Sequence, residues 1–257
     1  MTAYQEHNRS IIDQFSLQAA PFSKVPEHSD AAALRLLLDF SGASRADNVL
    51  DVACGPGIVT CAFAEECAHA TGIDLTPAMI DQAHSLQAER RIENVSWTVG
   101  DVRHLPFPDN HFSLVVTRFT FHHFPGPGAI LTEMIRVCRP GGRILVVDVA
   151  PEEQHQGAYD ATELLRDPSH VRALTPKEFA DLFGRTDLTC IRSATYRMPM
   201  HLDRQLAASF PNPGDEARIR KVYAADIGVN NLGLAVRETD AGLVIFYPIL
   251  AMLGTKW

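Results

Sequence analysis

Two adjacent histidines, His122 and His123, lie in the stretch RFTFHHFPGPG, residues 118–128. Histidine titrates near neutral pH and serves both as a proton acceptor and as a metal ligand, so the pair can be a general base, part of a metal site, or packing. The pair follows the apolar, β-branched run FSLVVT, which is typical of a buried strand. We therefore expect both histidines just beyond the end of a strand, where α/β sheets form their ligand crevice.

Neighbouring side chains in an extended segment point to opposite sides, so we expect the two rings to diverge. A metal site would need a partner at helical spacing, as in H-E-x-x-H, and the sequence has none. We therefore predict no metal site and at most one histidine in the chemistry, with a slight preference for His122 over His123. Arg118 is a third catalytic candidate, since a guanidinium can hold a carboxylate or polarise an acceptor. The alternative for Arg118 is a solvated ion pair.

A glycine-containing turn follows the first predicted strand in LDVACGPGIVTCAFA, residues 50–64. Gly55 and Gly57 permit backbone angles and a close ligand approach that a Cβ would block, and the helix after them points its amide end at a bound molecule. The dinucleotide fingerprint G-x-G-x-x-G has glycine at the place that Thr60 takes here. Asp51 would repel a pyrophosphate but can receive an ammonium group, so the turn favours an amino-acid-bearing nucleoside.

Two more acidic residues end the next two predicted strands. Asp74 is placed to accept hydrogen bonds from both hydroxyls of a ribose. Asp101 is placed to reach the exocyclic amine of an adenine, with Leu75 and Val102 as apolar walls for the ring. Each acid alone has an ordinary explanation as a helix cap or a surface charge. Together with Asp51, however, they put three acids at the ends of three successive strands, which favours a nucleoside site at one edge of a sheet.

Short β-branched runs alternate with longer helical patterns through the middle of the chain. The runs are NVLDVA, HATGIDL, NVSWTVGD, FSLVVT and RILVVDV. Such alternation is typical of βαβ units with a parallel sheet, and the unbroken apolar stretches suit strands buried on both faces. We predict a single domain over residues 1–257, comprising a helical cap at 1–45, a cofactor-binding core at 46–150, a mainly helical substrate cover with one strand at 151–232, and a strand or hairpin at 233–257.

The bulk composition argues against several classes of function. The chain has 257 residues, 46% of them hydrophobic and 21% charged, with a net charge of −8 and no run of five basic residues. We therefore predict a small-molecule partner, no nucleic acid and no stable membrane association. The N-terminus MTAYQEHNRS has no signal-peptide pattern and no apolar run approaches the ~18 residues of a membrane span, so we predict a cytoplasmic protein. Five cysteines without a C-x-x-C pair predict reduced thiols.

Four motifs, in order along the chain, carry a resemblance to a known family. They are VLDVACGPG, TGIDLTPAMIDQA, GDVRHLPFPDNHFSLVVTRFTFHHF and EMIRVCRPGGRILVVD. With them the chain resembles the class I S-adenosylmethionine-dependent methyltransferases, above all the branch of the ubiquinone/menaquinone C-methyltransferases (methyltransferase type 11). The resemblance spans residues 10–150. It implies an α/β fold with a doubly wound, Rossmann-like, mostly parallel seven-stranded sheet, an antiparallel last strand, and helical cover from the N-terminus and the C-terminal half.

The resemblance also implies S-adenosylmethionine as the cofactor and S-adenosylhomocysteine as the product. The cofactor-binding residues that it implies are Asp51, Ala53, Gly55, Gly57, Asp74, Leu75, Met79, Asp101, Val102, Thr117 and Arg118. The residues of the glycine turn would surround the methionyl part, Asp74 would take the ribose, and Thr117 and Arg118 would lie at the substrate mouth. Ala53 departs from the glycine usual in D-x-G-C-G-x-G, which we expect to be a mild change because alanine suits the end of a strand.

The function so implied is methyl transfer to a small, hydrophobic or aromatic acceptor at carbon, oxygen, nitrogen or sulfur. An in-line displacement needs an aligned nucleophile, and a histidine at the mouth would serve to remove a proton. The phenylalanines that would line an acceptor pocket, or else belong to the core, are Phe15, Phe22, Phe119, Phe121, Phe124 and Phe210. One alternative is an S-adenosylmethionine-binding protein without methyl transfer, either a regulator or pericyclase-like. Another is a nicotinamide-dependent oxidoreductase, which Thr60 and Asp51 disfavour.

Overall fold

A computed structural model describes residues 3–257 as a sheet with helices on both faces. Its strands are β1 (Asn48–Val52), β2 (His69–Asp74), β3 (Val95–Val99), β4 (Phe112–Arg118), β5 (Cys138–Val149), β6 (Leu188–His201), β7 (Arg237–Thr239) and β8 (Gly242–Lys256). Its α-helices are α1 (Ala3–Phe22), α2 (Ala31–Ser41), α3 (Ile58–Ala64), α4 (Pro77–Arg90), α5 (Pro127–Val137), α6 (Glu153–Arg166), α7 (Pro176–Gly184), α8 (Leu202–Ala207) and α9 (Asp215–Ala225). Within this range no helix is long and apolar enough to cross a membrane.

The strands follow the order β3-β2-β1-β4-β5-β8-β6. Strands β1 to β5 pair in parallel, whereas β8 runs antiparallel to both of its neighbours, β5 and β6. The predicted doubly wound, mostly parallel sheet of seven strands is therefore confirmed, with the last strand antiparallel. The three-residue β7 forms a hairpin with β8 and adds an eighth strand outside the main path.

Both faces of the sheet are covered by apolar side chains, which explains the unbroken apolar runs in the sequence. Leu114 and Val115 are neighbours on β4, yet they belong to different hydrophobic clusters because successive side chains on a strand point to opposite faces. One cluster includes Phe63 of α3 and Tyr223 of α9, and the other includes Phe179 of α7. Since the strands are held between two cores, their carboxyl ends are fixed relative to one another.

Gly57 lies between β1 and α3, where the turn packs against Trp97 of β3. Its φ is +79°, in the left-handed region that favours glycine. A Cβ added there would lie 2.6 Å from Cη2 of Trp97 and 2.9 Å from Cβ of Ala83. Gly57 is therefore required for the packing of the turn, in addition to any role in ligand approach.

The substitution Gly57→Ala should destabilise the protein by about 2–4 kcal/mol, because backbone strain of roughly 1 kcal/mol adds to an overpacking cost of about 1–3 kcal/mol. Gly141→Ala is the matched control, since Gly141 has a φ of +74° but no atom within 4 Å of an added Cβ. Urea unfolding of both variants measures the difference. Equal destabilisation of the two variants would show that the contact with Trp97 contributes nothing.

Candidate functional site

A cavity opens at the edge of the sheet where the parallel strands end. It encloses about 910 Å³ when its mouth is included, which lies within the range of about 300–1,000 Å³ typical of small-molecule sites. We call it the outer cavity. Of the catalytic and cofactor-binding residues predicted from the sequence, those that line it are Ala53, Gly55, Asp74, Leu75, Met79, Asp101, Val102, Arg118 and His123. Four residues of that set do not line it, namely Asp51, Gly57, Thr117 and His122.

The glycine turn is tied to the second strand by Asp74. One carboxylate oxygen of Asp74 accepts the backbone N–H of Gly55 at 2.9 Å, and the other accepts the backbone N–H of Thr76 at 2.8 Å. Burial raises the pKa of Asp74, while these backbone hydrogen bonds oppose the shift. A Cβ added to Gly55 would meet no protein atom within 4 Å. The turn therefore leaves open space at Gly55 for a ligand beside the Asp74 carboxylate.

Ala53 has a φ of +55°, so the expectation that alanine fits here as the end of a strand is wrong. The residue does not continue the strand as extended backbone. It adopts the left-handed conformation, which costs an L-residue with a Cβ roughly 1–2 kcal/mol. The glycine that the family pattern has at this place would avoid that strain.

Asp51 lies beneath the turn and is almost fully buried. Its Oδ2 accepts a hydrogen bond of 2.6 Å from the hydroxyl of Thr60, the residue that interrupts the dinucleotide fingerprint. Burial raises the pKa of Asp51 to about 7, and the Thr60 hydrogen bond opposes the shift. Thr117 is buried as well, and its hydroxyl donates to the backbone carbonyl of Val52 at 2.7 Å. Both predicted cofactor residues thus support the turn from behind.

Asp101 lines the outer cavity, but other groups of the chain already bind its carboxylate. Arg103 donates to it through Nε at 3.1 Å and Nη2 at 2.5 Å, and the Asn8 amide donates to Oδ2 at 3.0 Å. Burial alone would raise the pKa of Asp101, but these hydrogen bonds outweigh burial and lower it. Asn8 belongs to α1, so the N-terminal helix closes one side of the cavity. An adenine amine would share Asp101 with these two partners.

Arg118 presents a buried cation to the outer cavity. Its Nη1 donates to the backbone carbonyl of His28 at 2.9 Å. Its Nε and Nη2 are buried, and neither makes a well-formed hydrogen bond within residues 3–257, while the Tyr196 hydroxyl lies near the guanidinium and favours its charged form. Burial lowers the pKa of Arg118, and an unpaired buried donor on a charged group is costly. The arrangement is therefore suited to an anionic group such as a carboxylate.

The two histidines do not diverge, so that prediction is wrong. Residues Phe121–His123 form a 3₁₀ turn instead of an extended segment, and the centroids of the two rings lie 4.2 Å apart. His122 donates from Nδ1 to Oδ1 of Asp148 at 2.6 Å. His123 places Nδ1 3.1 Å from the carbonyl oxygen of Ser169, which can only accept. The Ser169 hydroxyl, 3.2 Å from Nδ1, donates its proton to Asp167, so Nδ1 of His123 must carry a proton and Nε2 is the accepting nitrogen of the neutral ring.

The pKa values of the two rings shift in opposite directions. Burial alone would lower the pKa of His122, but the Asp148 carboxylate outweighs burial and raises it. Burial and the charge of His122 together lower the pKa of His123 to about 3. His123 is therefore a neutral ring next to a ring that favours its proton.

A second cavity, which we call the inner cavity, lies behind the first and encloses about 690 Å³ including its mouth. The five residues that line both cavities are Phe15, Phe22, His28, Phe119 and His123. His122 lines only the inner cavity. The two spaces therefore share a mostly aromatic wall that includes His123. Phe119 adopts a φ of +59° in this wall, a strained conformation of the kind that clusters at functional sites.

The remaining phenylalanines divide between the site and other positions. Phe124 lines the outer cavity, Phe121 is buried and stacks on Phe179, and Phe210 is exposed.

Within residues 3–257, no group of three or more His, Cys, Asp or Glu side chains is arranged to hold a metal ion.

Sequence reasoning missed several residues of the site. Asp148 was detectable, since it lies near the carboxyl end of β5 just as Asp51 and Asp74 lie on their strands. His28 and Asn8 carried no such signal, because they reach the site from the N-terminal region across long sequence separations.

Comparison with known proteins identifies the family. Residues 49–142 match the family model described as a methyltransferase domain. The chain is 29% identical over 220 residues to the uncharacterised methyltransferase YcgJ of Bacillus subtilis, covering 77% of this chain and 87% of YcgJ. It is 31% identical over 153 residues to the uncharacterised protein YafE of Escherichia coli, covering 59% of this chain and 74% of YafE. It is 33% identical over 129 residues to the ubiquinone/menaquinone biosynthesis C-methyltransferase UbiE of Roseobacter denitrificans, covering 48% of this chain and 52% of UbiE.

The fold is similar as well. The crystal structure of YcgJ matches with a TM-score of 0.79 at 24% identity, covering 88% of this chain and 98% of the YcgJ chain. These matches confirm the family that the sequence motifs indicated: the chain belongs to the class I S-adenosylmethionine-dependent methyltransferases.

Proposed function

We propose that the outer cavity binds S-adenosylmethionine and that the inner cavity holds a small, hydrophobic or aromatic acceptor, to which the methyl group is transferred. The observation that carries the proposal is the wall of Phe15, Phe22, His28, Phe119 and His123 that the two cavities share. A donor in one cavity and an acceptor in the other would lie on adjoining sides of these side chains, and the methyl group would pass between them. The methylated atom of the acceptor is a carbon, oxygen, nitrogen or sulfur.

The residues of the outer cavity fit this cofactor. The open space at Gly55 admits the methionyl part, the buried and unpaired N–H groups of Arg118 suit its carboxylate, and the carboxylate of Asp74 suits ribose hydroxyls. Leu75, Met79 and Val102 offer apolar surface to the adenine. Asp51 is buried behind the turn and does not line the outer cavity, so we assign it to holding the turn and not to direct contact with the cofactor.

The cofactor, when bound, supplies an electrophilic methyl group on a sulfonium, and S-adenosylhomocysteine is the product. The protein contributes alignment, which in well-oriented reactions is worth up to about 7–11 kcal/mol. It also excludes water, because the aromatic side chains of the shared wall surround the place where donor and acceptor meet. Where the acceptor has an acidic proton, a neutral side chain at the wall must take it.

We assign that proton to Nε2 of His123. The ring lines both cavities, is neutral, and is oriented by its Nδ1–H bond to the Ser169 carbonyl. His122 lines only the inner cavity, and Asp148 favours its protonated form, so it is better suited to orienting His123 or the acceptor. This proposal departs from the slight preference for His122 over His123 that the sequence suggested. Arg118 acts in binding the cofactor instead of in proton transfer.

The proposed partner is a small molecule and not a nucleic acid, and the proposed location is the cytoplasm, on the composition and charge described above. Calorimetric titration with S-adenosylmethionine, S-adenosylhomocysteine and NAD tests the cofactor. Methyl-labelled S-adenosylmethionine screened against small aromatic acceptors then tests transfer. Binding of NAD without binding of S-adenosylhomocysteine would refute the proposal, and binding without transfer to any acceptor would favour the non-transferring alternative.

Arg118→Met should weaken S-adenosylhomocysteine binding by roughly 10- to 150-fold, which corresponds to a charged hydrogen bond of about 1.5–3 kcal/mol. Binding of 5′-methylthioadenosine, which lacks the amino-acid part, should stay unchanged in the same variant. Arg118→Lys retains the charge and should lose less. Calorimetry of both ligands checks this, and an equal loss for both would mean that Arg118 does not bind the carboxylate.

His123→Gln should lower kcat by about 10² with an acceptor from the screen, the low end of the usual contribution of a general base, because a ring whose pKa is lowered to about 3 is a weak proton acceptor. His122→Gln should lower it less, because His122 does not line the outer cavity. S-Adenosylhomocysteine affinity, measured by calorimetry, serves as the control. It should be unchanged in the His122 variant and should fall far less than kcat in the His123 variant, because only His123 also lines the outer cavity. Wild-type turnover of the His123 variant would exclude this residue as the base.

His123→Gln has a second expected effect that needs no acceptor. The unfolded chain protonates His123 near its ordinary pKa of 6.5, whereas the folded protein does so only at about pH 3, so wild-type stability falls as the pH drops through this interval. Between pH 7 and pH 5 this one group removes about 2 kcal/mol. Urea unfolding at the two pH values should show that the variant loses less stability than the wild type. Equal losses would mean that the ring is not neutral in the folded state.

A further inference from the structure

A buried hydrogen-bond network runs along one side of the inner cavity, with Glu163 of α6 at its centre. Glu163 Oε2 accepts from Nε and Nη2 of Arg166 at 2.8 and 2.6 Å. Glu163 Oε1 accepts from the hydroxyls of Tyr247 and Tyr223 at 3.1 and 3.3 Å. A carboxylate paired with a guanidinium has no proton to give, so both tyrosines must donate.

This network fixes the orientation of the Gln205 amide. Burial and the charge of Glu163 raise the pKa of Tyr247, which therefore keeps its single proton and donates it to Glu163. The Tyr247 oxygen is then free only to accept, and it accepts from Nε2 of Gln205. The carbonyl oxygen of Gln205 consequently points away from this contact.

That carbonyl oxygen has no donor. Gln205 is only 8% exposed, and its Oε1 is buried without a hydrogen-bond partner within residues 3–257. Within residues 3–257, Gln205 is the residue lining the inner cavity that has a buried side-chain oxygen or nitrogen without a hydrogen-bond partner. An unpaired buried acceptor costs roughly 1–3 kcal/mol. A ligand with a donor group would remove that cost.

Gln205 and His123 occupy different places in the two cavities. Gln205 lines only the inner cavity, whereas His123 lies in the wall shared with the outer one. The other side chains around the inner cavity include an apolar and aromatic set, Val25, Val149, Tyr159, Met198 and Met200. They also include charged groups, of which Arg166 is paired with both Glu163 and Asp167. A bound molecule would therefore have an apolar body between two hydrogen-bond acceptors.

We infer, resting on the proposed function, that the acceptor is a small aromatic molecule with a hydroxyl or an amine N–H at its end away from the transferred methyl group, and that the Gln205 carbonyl oxygen receives this donor. Gln205 is thus a specificity-determining residue for the reaction. It discriminates against acceptors that have only a hydrogen-bond acceptor or an apolar group at that end, since these leave Oε1 unpaired.

The test uses two matched series of probes, one with a single ring and one with two fused rings. They are phenol, hydroquinone, 4-aminophenol and 4-methoxyphenol, and 2-naphthol, 2,6-dihydroxynaphthalene, 6-amino-2-naphthol and 6-methoxy-2-naphthol. Dissociation constants are measured by calorimetry with S-adenosylhomocysteine at saturation. In the wild type, the hydroxyl or amino member of at least one series should bind about tenfold more tightly than its methoxy member. Comparison of the hydroxyl probe with the amino probe shows whether the cavity prefers an O–H or an amine N–H donor.

Two variants separate the carbonyl of Gln205 from the rest of the cavity. Gln205→Met removes the carbonyl while keeping a similar side-chain volume. In this variant, the Kd of the methoxy probe divided by the Kd of the hydroxyl or amino probe should be close to one. Gln18→Met is the matched control, because Gln18 lines the same cavity but uses its amide N–H groups for the Ser209 carbonyl and the Asp167 carboxylate, and it should keep the wild-type ratio. Because the measured quantity is a ratio within one variant, a general loss of affinity or stability does not mimic the effect.

Three outcomes would overturn the inference while leaving the proposed function intact. They are a wild-type ratio near one in both series, a ratio that Gln205→Met leaves unchanged, and binding of S-adenosylhomocysteine with no binding of any probe. Failure to bind S-adenosylhomocysteine itself would instead overturn the proposed function.

Discussion

Parallel strands end at the same edge of a sheet, and this constraint determines where the charged groups of the site lie. Each of β1, β2, β4 and β5 carries an ionisable residue at or close to its carboxyl end, and Asp101 follows β3. These residues are Asp51, Asp74, Arg118 and Asp148. Because both faces of the strands are covered by apolar clusters, most of these groups are buried, and each needs a compensating partner. The hydrogen bonds and ion pairs that compensate these buried charges largely determine the geometry of the site.

Buried polar groups that have a hydrogen-bond partner within the protein stabilise the fold, whereas those without one are available to a ligand. Asp51 is met by a threonine hydroxyl, Asp148 by a histidine ring, and Asp74 by two backbone N–H groups. Arg118 and Gln205 differ, since each keeps a buried polar atom without a partner in the described chain and each lines a cavity. The Arg118 guanidinium is a cationic donor and would suit an anionic part of one ligand. The Gln205 carbonyl oxygen is a neutral acceptor and would suit a donor group of another.

The sequence was sufficient for the sheet and for much of the outer cavity, because both depend on local patterns. β-Branched runs predict the strands, and glycines and acids at strand ends predict the turn and its neighbours, of which Gly55 and Asp74 line the cavity. The same rule applied to β5 would have found Asp148. The rest could not be predicted, because it depends on contacts between distant parts of the chain. Asn8 reaches Asp101 across 93 residues, and the 3₁₀ turn at His122 changes the direction of a side chain that an extended segment would have turned away.

A crystal structure of the protein with S-adenosylhomocysteine would test most directly whether the two cavities serve donor and acceptor. It should show the carboxylate of the ligand within hydrogen-bond distance of Arg118 and its sulfur facing the wall that contains His123, with the inner cavity open behind it. A ligand bound outside the outer cavity, or one with its sulfur turned away from the inner cavity, would contradict the account.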